Sequence, residues 1–328
     1  MTLLLFAAAC GHPPTKKVVS ATTRPATPMA RPTSRATQNH VTDPLTIAEL
    51  RKGGLHAERI RCNGRVLWVP QLHRLAKEAA AELARRERRP LSKAQHKKNT
   101  RVVLGYLVRL VFQVMDTQNL GAMQLRGRSY KDARGQEHPL LIFRSGVTTD
   151  VTRKASCLHS LLTAGRVRHV VNLYGGTFPL HEFIRAERQL CEKLGATHHD
   201  DAADKRVEWR KLIKTEASYE KNRLLAMKRV AKLINQHILR PHGKPPRGNI
   251  YIHCGGGMHR SGMVFGVLRR CINGAEMSRV EREYKRHVAY RSPQRPGGYE
   301  ALNVRFIREF DCKLLTPPSP ATCRSVGG

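Results

Sequence analysis

From Pro139 onward, short β-branched runs alternate with longer stretches in which apolar residues recur every three or four positions. LLIFRSG (Leu140–Gly146) reads as a strand ending in a turn, and VRHVVNLYGG (Val167–Gly176) as a second strand closed by a glycine pair. Phe183 to Leu194 reads as a helix leading to Gly195, and a polar stretch, ATHHDDAADKRVEW, follows. Tyr219 to Leu239 predicts a long amphipathic helix with Leu224, Met227, Ala231, Ile234 and Ile238 on one face. NIYIHC (Asn249–Cys254) is a third strand, and helices are expected from near Ser261 to Gly274, from Glu276 to Val288 and from Gly298 to Cys312. Strands alternating with helices predict an α/β fold, a mainly parallel central sheet flanked by helices. In such sheets sites form beyond the C-terminal ends of strands, which is where His253 and Cys254 stand.

The pattern upstream is different. MTLLLFAAAC resembles the cleavage box of a bacterial lipoprotein signal, with Cys10 as the lipidated residue, so residues 1–10 are expected to direct the chain to the cell envelope; a cytoplasmic protein with an apolar N-terminus is the alternative. Residues 11–43, rich in Pro, Thr, Ser, Ala and Arg, should be a disordered linker. Residues 44–135 read as a basic, helix-rich N-terminal extension: LHRLAKEAAAELARRERR starts a helix at Leu72 with apolar positions at Leu75, Ala79 and Leu83, broken at Pro90. Val102–Met115 is the most apolar run; it carries Arg109, is too short to cross a bilayer, and reads as a buried helix. Residues 317–328 are expected to be a flexible tail.

Charge changes this picture. The 328 residues carry 59 Lys and Arg against 25 Asp and Glu, a net charge of +34, which points to an anionic partner (a phosphorylated substrate, an anionic membrane surface or nucleic acid); a solvated basic face with no dedicated partner is the alternative. The densest positive patch, Arg85, Arg86, Arg88, Arg89, Lys93, Lys97 and Lys98, lies in the N-terminal extension. The eight cysteines show no CxxC pair, which argues against a structural zinc site, and their spacing fixes no disulfides.

The chemistry concentrates in HCGGGMHRSG, residues 253–262. Gly255, Gly256 and Gly257 allow a tight loop whose N–H groups, with those of Met258 and His259, turn inward as an anion nest, and the following helix adds its positive end. Arg260 supplies a planar fork for two phosphate oxygens. The same surroundings lower the pKa of Cys254, so a thiolate at the floor of a phosphate cradle predicts attack on phosphorus and a phosphocysteine intermediate. Ser261 is placed to donate to the sulfur as it leaves, and His253 to hold the loop through its carbonyls.

The string His253, Cys254, Gly257, Arg260, Ser261, Gly262 resembles the signature loop of the protein tyrosine and dual-specificity phosphatase superfamily. Phe143–Gly146 and Val170–Leu173 are similar to the entry strand and "vinLR" strand of bacterial members, and Ser292–Phe310 to their closing segment; the resemblance covers about Pro139 to Leu315, a Cys-dependent phosphatase domain over 136–316. It implies a dual-specificity-phosphatase-like fold, hydrolysis of phosphomonoesters without metal or cofactor, and a general acid from an upstream loop. There Asp200, Asp201 and Asp204 are the candidates, with Asp204 favoured by its spacing from Gly195 and Asp201 second. The loop interior lacks the lysines of phosphoinositide-specific members, which favours phosphotyrosine or mixed phosphoprotein substrates. The charge favours a polyanion instead: an RNA 5′ end, an inositol phosphate or a glycolipid. A phosphate cradle with a poor acid would be a non-catalytic binding module.

Overall fold

Asn249–Cys254 is buried at all six positions, as a strand covered on both faces requires. A computed structural model describes residues 41, 43–62, 70–87, 90–115, 119–148, 151, 156–174, 181–200, 209–288 and 299–315. Five strands, β1 (Gly121–Lys131), β2 (Glu137–Gly146), β3 (Val167–Asn172), β4 (Thr197–Asp200) and β5 (Asn249–Cys254), form one sheet in the order β1-β2-β5-β3-β4. β1 is antiparallel to β2, with Gly121 opposite Arg144, and the remaining pairs are parallel. The expected mainly parallel sheet is therefore present, with β5 between β2 and β3.

Side chains alternate across the sheet, and each face has its own core. Ile142, Val171, Ile250, Ile252 and Cys254 pack with residues of α6 (Glu216–Ile234), α7 (Arg260–Cys271), α8 (Met277–Val288) and α9 (Tyr299–Glu309), among them Val230, Val264, Tyr284 and Phe306. Leu141, Phe143, Val170 and Tyr251 face the other way, onto Leu50 of α1 (Pro44–Lys52), Leu158 of α4 (Cys157–Leu162) and Ile184 of α5 (His181–Lys193). Full burial of such aliphatic side chains contributes about 1.5–3 kcal/mol each, so a one-residue slip of β5, which would exchange the two sets, is strongly opposed.

Several expectations change. The boundary at 135/136 falls after β1, which is part of the sheet, and Val41, Leu50, Leu55, Ile60 and Cys62 belong to the core of the second face. Cys62 is disulfide-bonded to Cys157, and Asp43 caps α1 by accepting from the Thr46 N–H at 2.9 Å, so residues 43–62 pack with the sheet and are not a separate extension. A second disulfide joins Cys271 and Cys312. On α6 the buried face is Tyr219, Ala226, Met227, Val230, Ala231, Leu233 and Ile234; Leu224, assigned to it from periodicity, is 65% exposed. The polar THHD stretch is the edge strand β4, where half-buried polar residues are tolerated. α2 (Pro70–Arg86) and α3 (Lys93–Met115) lie where helices were expected, but Val102, at the start of the apolar run, is exposed. Arg85 and Arg86 both pair with Glu82 on their exposed helix face. The signal with Cys10, most of the linker, Arg88, Arg89 and the tail 317–328 lie outside the described residues. Among the described residues no helix is long and apolar enough to cross a membrane.

Candidate active site

β5 carries Cys254 to the C-terminal edge of the sheet, the glycine loop turns there, and α7 begins at Arg260. Gly257 requires its missing β-carbon twice over: its φ is +65°, and a Cβ would lie 2.5 Å from the Gly146 nitrogen. Gly146, at the end of β2, lets the loop pass equally close, since a Cβ there would meet the Gly255 carbonyl at 2.9 Å.

The carbonyls of all three glycines are taken from outside the loop. Gly255 accepts from the Val147 N–H at 3.3 Å. Asn119 donates through Nδ2 to Gly256 and Gly257, each at 3.2 Å. Arg144, buried under the loop, donates through Nη2 to Gly257. With those carbonyls bound from outside, the N–H groups of Met258 and Ser261 reach the Cys254 sulfur. His259 at the start of α7 makes no side-chain capping bond to the first turn of the helix.

Cys254 is buried, with Sγ 3.4 Å from Ser261 Oγ. Burial works against its ionised form, yet the Ser261 hydroxyl, the Ser261 N–H, the Arg260 guanidinium and the Met258 N–H together hold the thiol below its usual value. Arg260 is steadied by donating through Nη1 to the Leu173 carbonyl, past the end of β3, at 3.1 Å. His259 points away from the loop interior: its Nδ1 is 3.3 Å from Asn303 Nδ2 and 3.5 Å from the Tyr284 hydroxyl, so it anchors the loop to α8 and α9 and can offer the loop interior only backbone.

His253 does not bond loop carbonyls as expected. Its Nε2 lies 2.7 Å from Oε1 of Glu187 on α5, and His198 Nε2 approaches the same oxygen at 2.8 Å. The physical reason is strand alternation, which turns His253 to the face opposite Cys254. Burial would push the Glu187 carboxyl up, but His253 and His198 overcome it and hold the group down at about 2. These three are the His/Glu cluster with metal-ligand atoms close together among the described residues. Their contacts are shorter than the ~3.3 Å between ligands around one tetrahedral zinc, so a hydrogen-bonded triad accounts for them without an ion.

Of the acid candidates, Asp200 ends β4, where it accepts from Asn172 Nδ2 at 3.0 Å and from Arg188 at 3.3 Å, an engagement that suits a structural link. Asp201 and Asp204 lie outside the described residues. Arg144, Asn119 and Glu187 were not singled out from sequence. Arg144 stood inside the quoted FRSG, where an arginine at a strand end next to Ser-Gly was the available signal. Nothing local marks the other two.

No family model matches the chain, and no curated protein does. Among solved structures, it is similar to the core catalytic domain of the PP-IP phosphatase SIW14 from S. cerevisiae in complex with citrate, at 19% identity and a TM-score of 0.33, covering 52% of this chain and 80% of that one. A structure of the Siw14 catalytic core is similar at 17% identity and a TM-score of 0.30, covering 58% and 87%.

Proposed function

We propose that the protein is a Cys-dependent phosphomonoesterase. The single observation that carries this reading is a buried thiol, lowered below its usual pKa, under a loop whose three glycine carbonyls are all bound from outside. Cys254 Sγ attacks phosphorus in line, the P–O bond to the leaving group breaks, and its oxygen takes a proton from an acid of the 200–204 stretch, for which Asp204 is the favoured residue. Arg260 and the loop N–H groups hold the phosphoryl oxygens, and water then releases inorganic phosphate while Ser261 donates to the departing sulfur.

Phosphotyrosyl or mixed phosphoprotein substrates are the first reading, supported by a loop interior without lysine. The net charge of +34 supports a second, a polyanionic phosphoester such as an RNA 5′ end, an inositol phosphate or a glycolipid. The test is hydrolysis of an aryl phosphate in the presence of EDTA, blocked by vanadate. Cys254→Ser should lose at least about four orders of magnitude in turnover. Full turnover in that variant would sink the proposal, and relative rates on a phosphotyrosyl peptide, an inositol polyphosphate and triphosphate-ended RNA assign the substrate class.

A further inference from the structure

Arg144 is a guanidinium 1% exposed, and burying such a charge demands an anion. No carboxylate among the described residues is hydrogen-bonded to it: its donor contact is to the Gly257 carbonyl, its Nε has no partner, and its other face lies 5.6 Å from the centre of the Phe265 ring. Among the described residues, the groups around it other than Cys254 supply little of the missing charge. Glu283 of α8 is already paired with Arg269 at 2.9 Å and Arg279 at 3.1 Å. Burial pushes the Tyr284 phenol up, so it is neutral at physiological pH. Arg286 adds like charge and is paired with Asp43 at 3.0 Å, and His287 is bonded to Asn119. The start of α7 brings a positive helix end, since Gly262 lies against the guanidinium.

Among the described residues, what remains is Cys254. Arg144 is in register with Ile252, two residues before Cys254 on the same face of β5, and the guanidinium lies under the loop that closes over the sulfur. We propose that Arg144 is the buried counter-charge of Cys254: it pairs the thiolate, and then the bound phosphoryl group, from inside the protein while Arg260 does so from the ligand side. Burial lowers the Arg144 guanidinium, and the charge of Cys254 in turn favours its charged form; the balance of these and its other neighbours leaves it at about 10. Arg144 on this view is a positioning residue, and only the statement about the phosphoryl group rests on the proposed function.

The experiment is the pH dependence of Cys254 alkylation by iodoacetamide, followed by mass spectrometry, which needs no turnover and so fails or succeeds independently of the phosphatase reading. Against wild type, R144M should move the midpoint up by about one pH unit or more, and R144K by less, because it keeps the charge and loses the fork. A folded R144M with the wild-type midpoint overturns the proposal. Thermal unfolding of R144M in the Cys254 and C254S backgrounds separates charge from packing: the loss in Tm should be larger with the thiol present. An equal loss in both, or a failure to fold in both, assigns Arg144 to packing and overturns it as well.

Discussion

The two faces of β5 hold the two free cysteines among the described residues in opposite electrostatic settings. On the α5 side, Cys191 stands one helical turn from Glu187; burial pushes its thiol well up, and the Glu187 and Glu192 carboxylates add to this. On the α7 side, Cys254 is just as enclosed, yet Ser261, Arg260 and the loop N–H groups bring its thiol down. Burial alone therefore does not decide reactivity. On one face a buried anion is satisfied by two imidazoles of the protein itself, and the site is closed. On the other, Arg260 and, on our proposal, Arg144 bring positive charge to a thiol, and the proposed function adds a phosphoryl group there.

The largest test of this contrast lies with Arg260. On the proposed function, Arg260→Lys replaces a two-point grip by one ammonium, and turnover should fall about a thousandfold with little change in the urea midpoint. Glu187→Ala should do the reverse. It strands the N–H groups of His198 and His253 without an acceptor and should cost about 3–5 kcal/mol in urea unfolding, while the alkylation midpoint of Cys254 in the folded fraction stays put. A shift of that midpoint would mean that the two faces are coupled through β5.

The strand, loop and helix around Cys254 were legible because they are local. A strand, three glycines, an arginine and a helix start follow one another within Asn249–Leu268, so periodicity and loop chemistry describe the arrangement directly. The closed face was not legible, because Glu187 meets His198 across 11 positions and His253 across 66, and no spacing rule links them. β1 was hidden because GAMQLRGRSYK carries two arginines and a lysine, and β4 because an edge strand needs no apolar pattern. Leu224 misled in the other direction: the helical period is satisfied by several stripes on α6, and only packing selects the one through Met227 and Ile234.

Stability against pH should separate the faces again, with an effect of about 3 kcal/mol on the acid side. Glu187 has its folded value held below the ordinary 4.5, so its contribution is fully present above about 4.5 and is lost as the pH falls towards 2. Cys254 is also lowered, but from 9.0, so its contribution is complete only above that value and is lost as the pH falls through the folded value. Unfolding measured from pH 2 to 10 should show an acid step absent in Glu187→Gln and an alkaline rise absent in Cys254→Ser. If Glu187→Gln kept the acid step, the imidazole clamp would not be what holds that carboxylate charged.

The smallest expected effect, about 1–3 kcal/mol, tests whether the loop's shape or its charge makes the reactive face. Gly257→Ala places a β-carbon on a residue at φ +65° and drives it towards the Gly146 nitrogen, 2.5 Å away, with Ser145 beside it. The strand end at Ser145–Gly146 is fixed by the hydrogen bond of Tyr251 to the Gly146 carbonyl at 3.0 Å, so the loop is the partner that yields. Moving Gly257 displaces the carbonyl shared by Arg144 and Asn119, and the inward N–H groups with it. Phosphate or vanadate binding should then weaken more than stability does, since the core contacts of α7 begin beyond the loop. A variant that lost stability but bound vanadate as wild type does would show that the converging charges, and not the orientation of the N–H groups, set this face apart from the closed one.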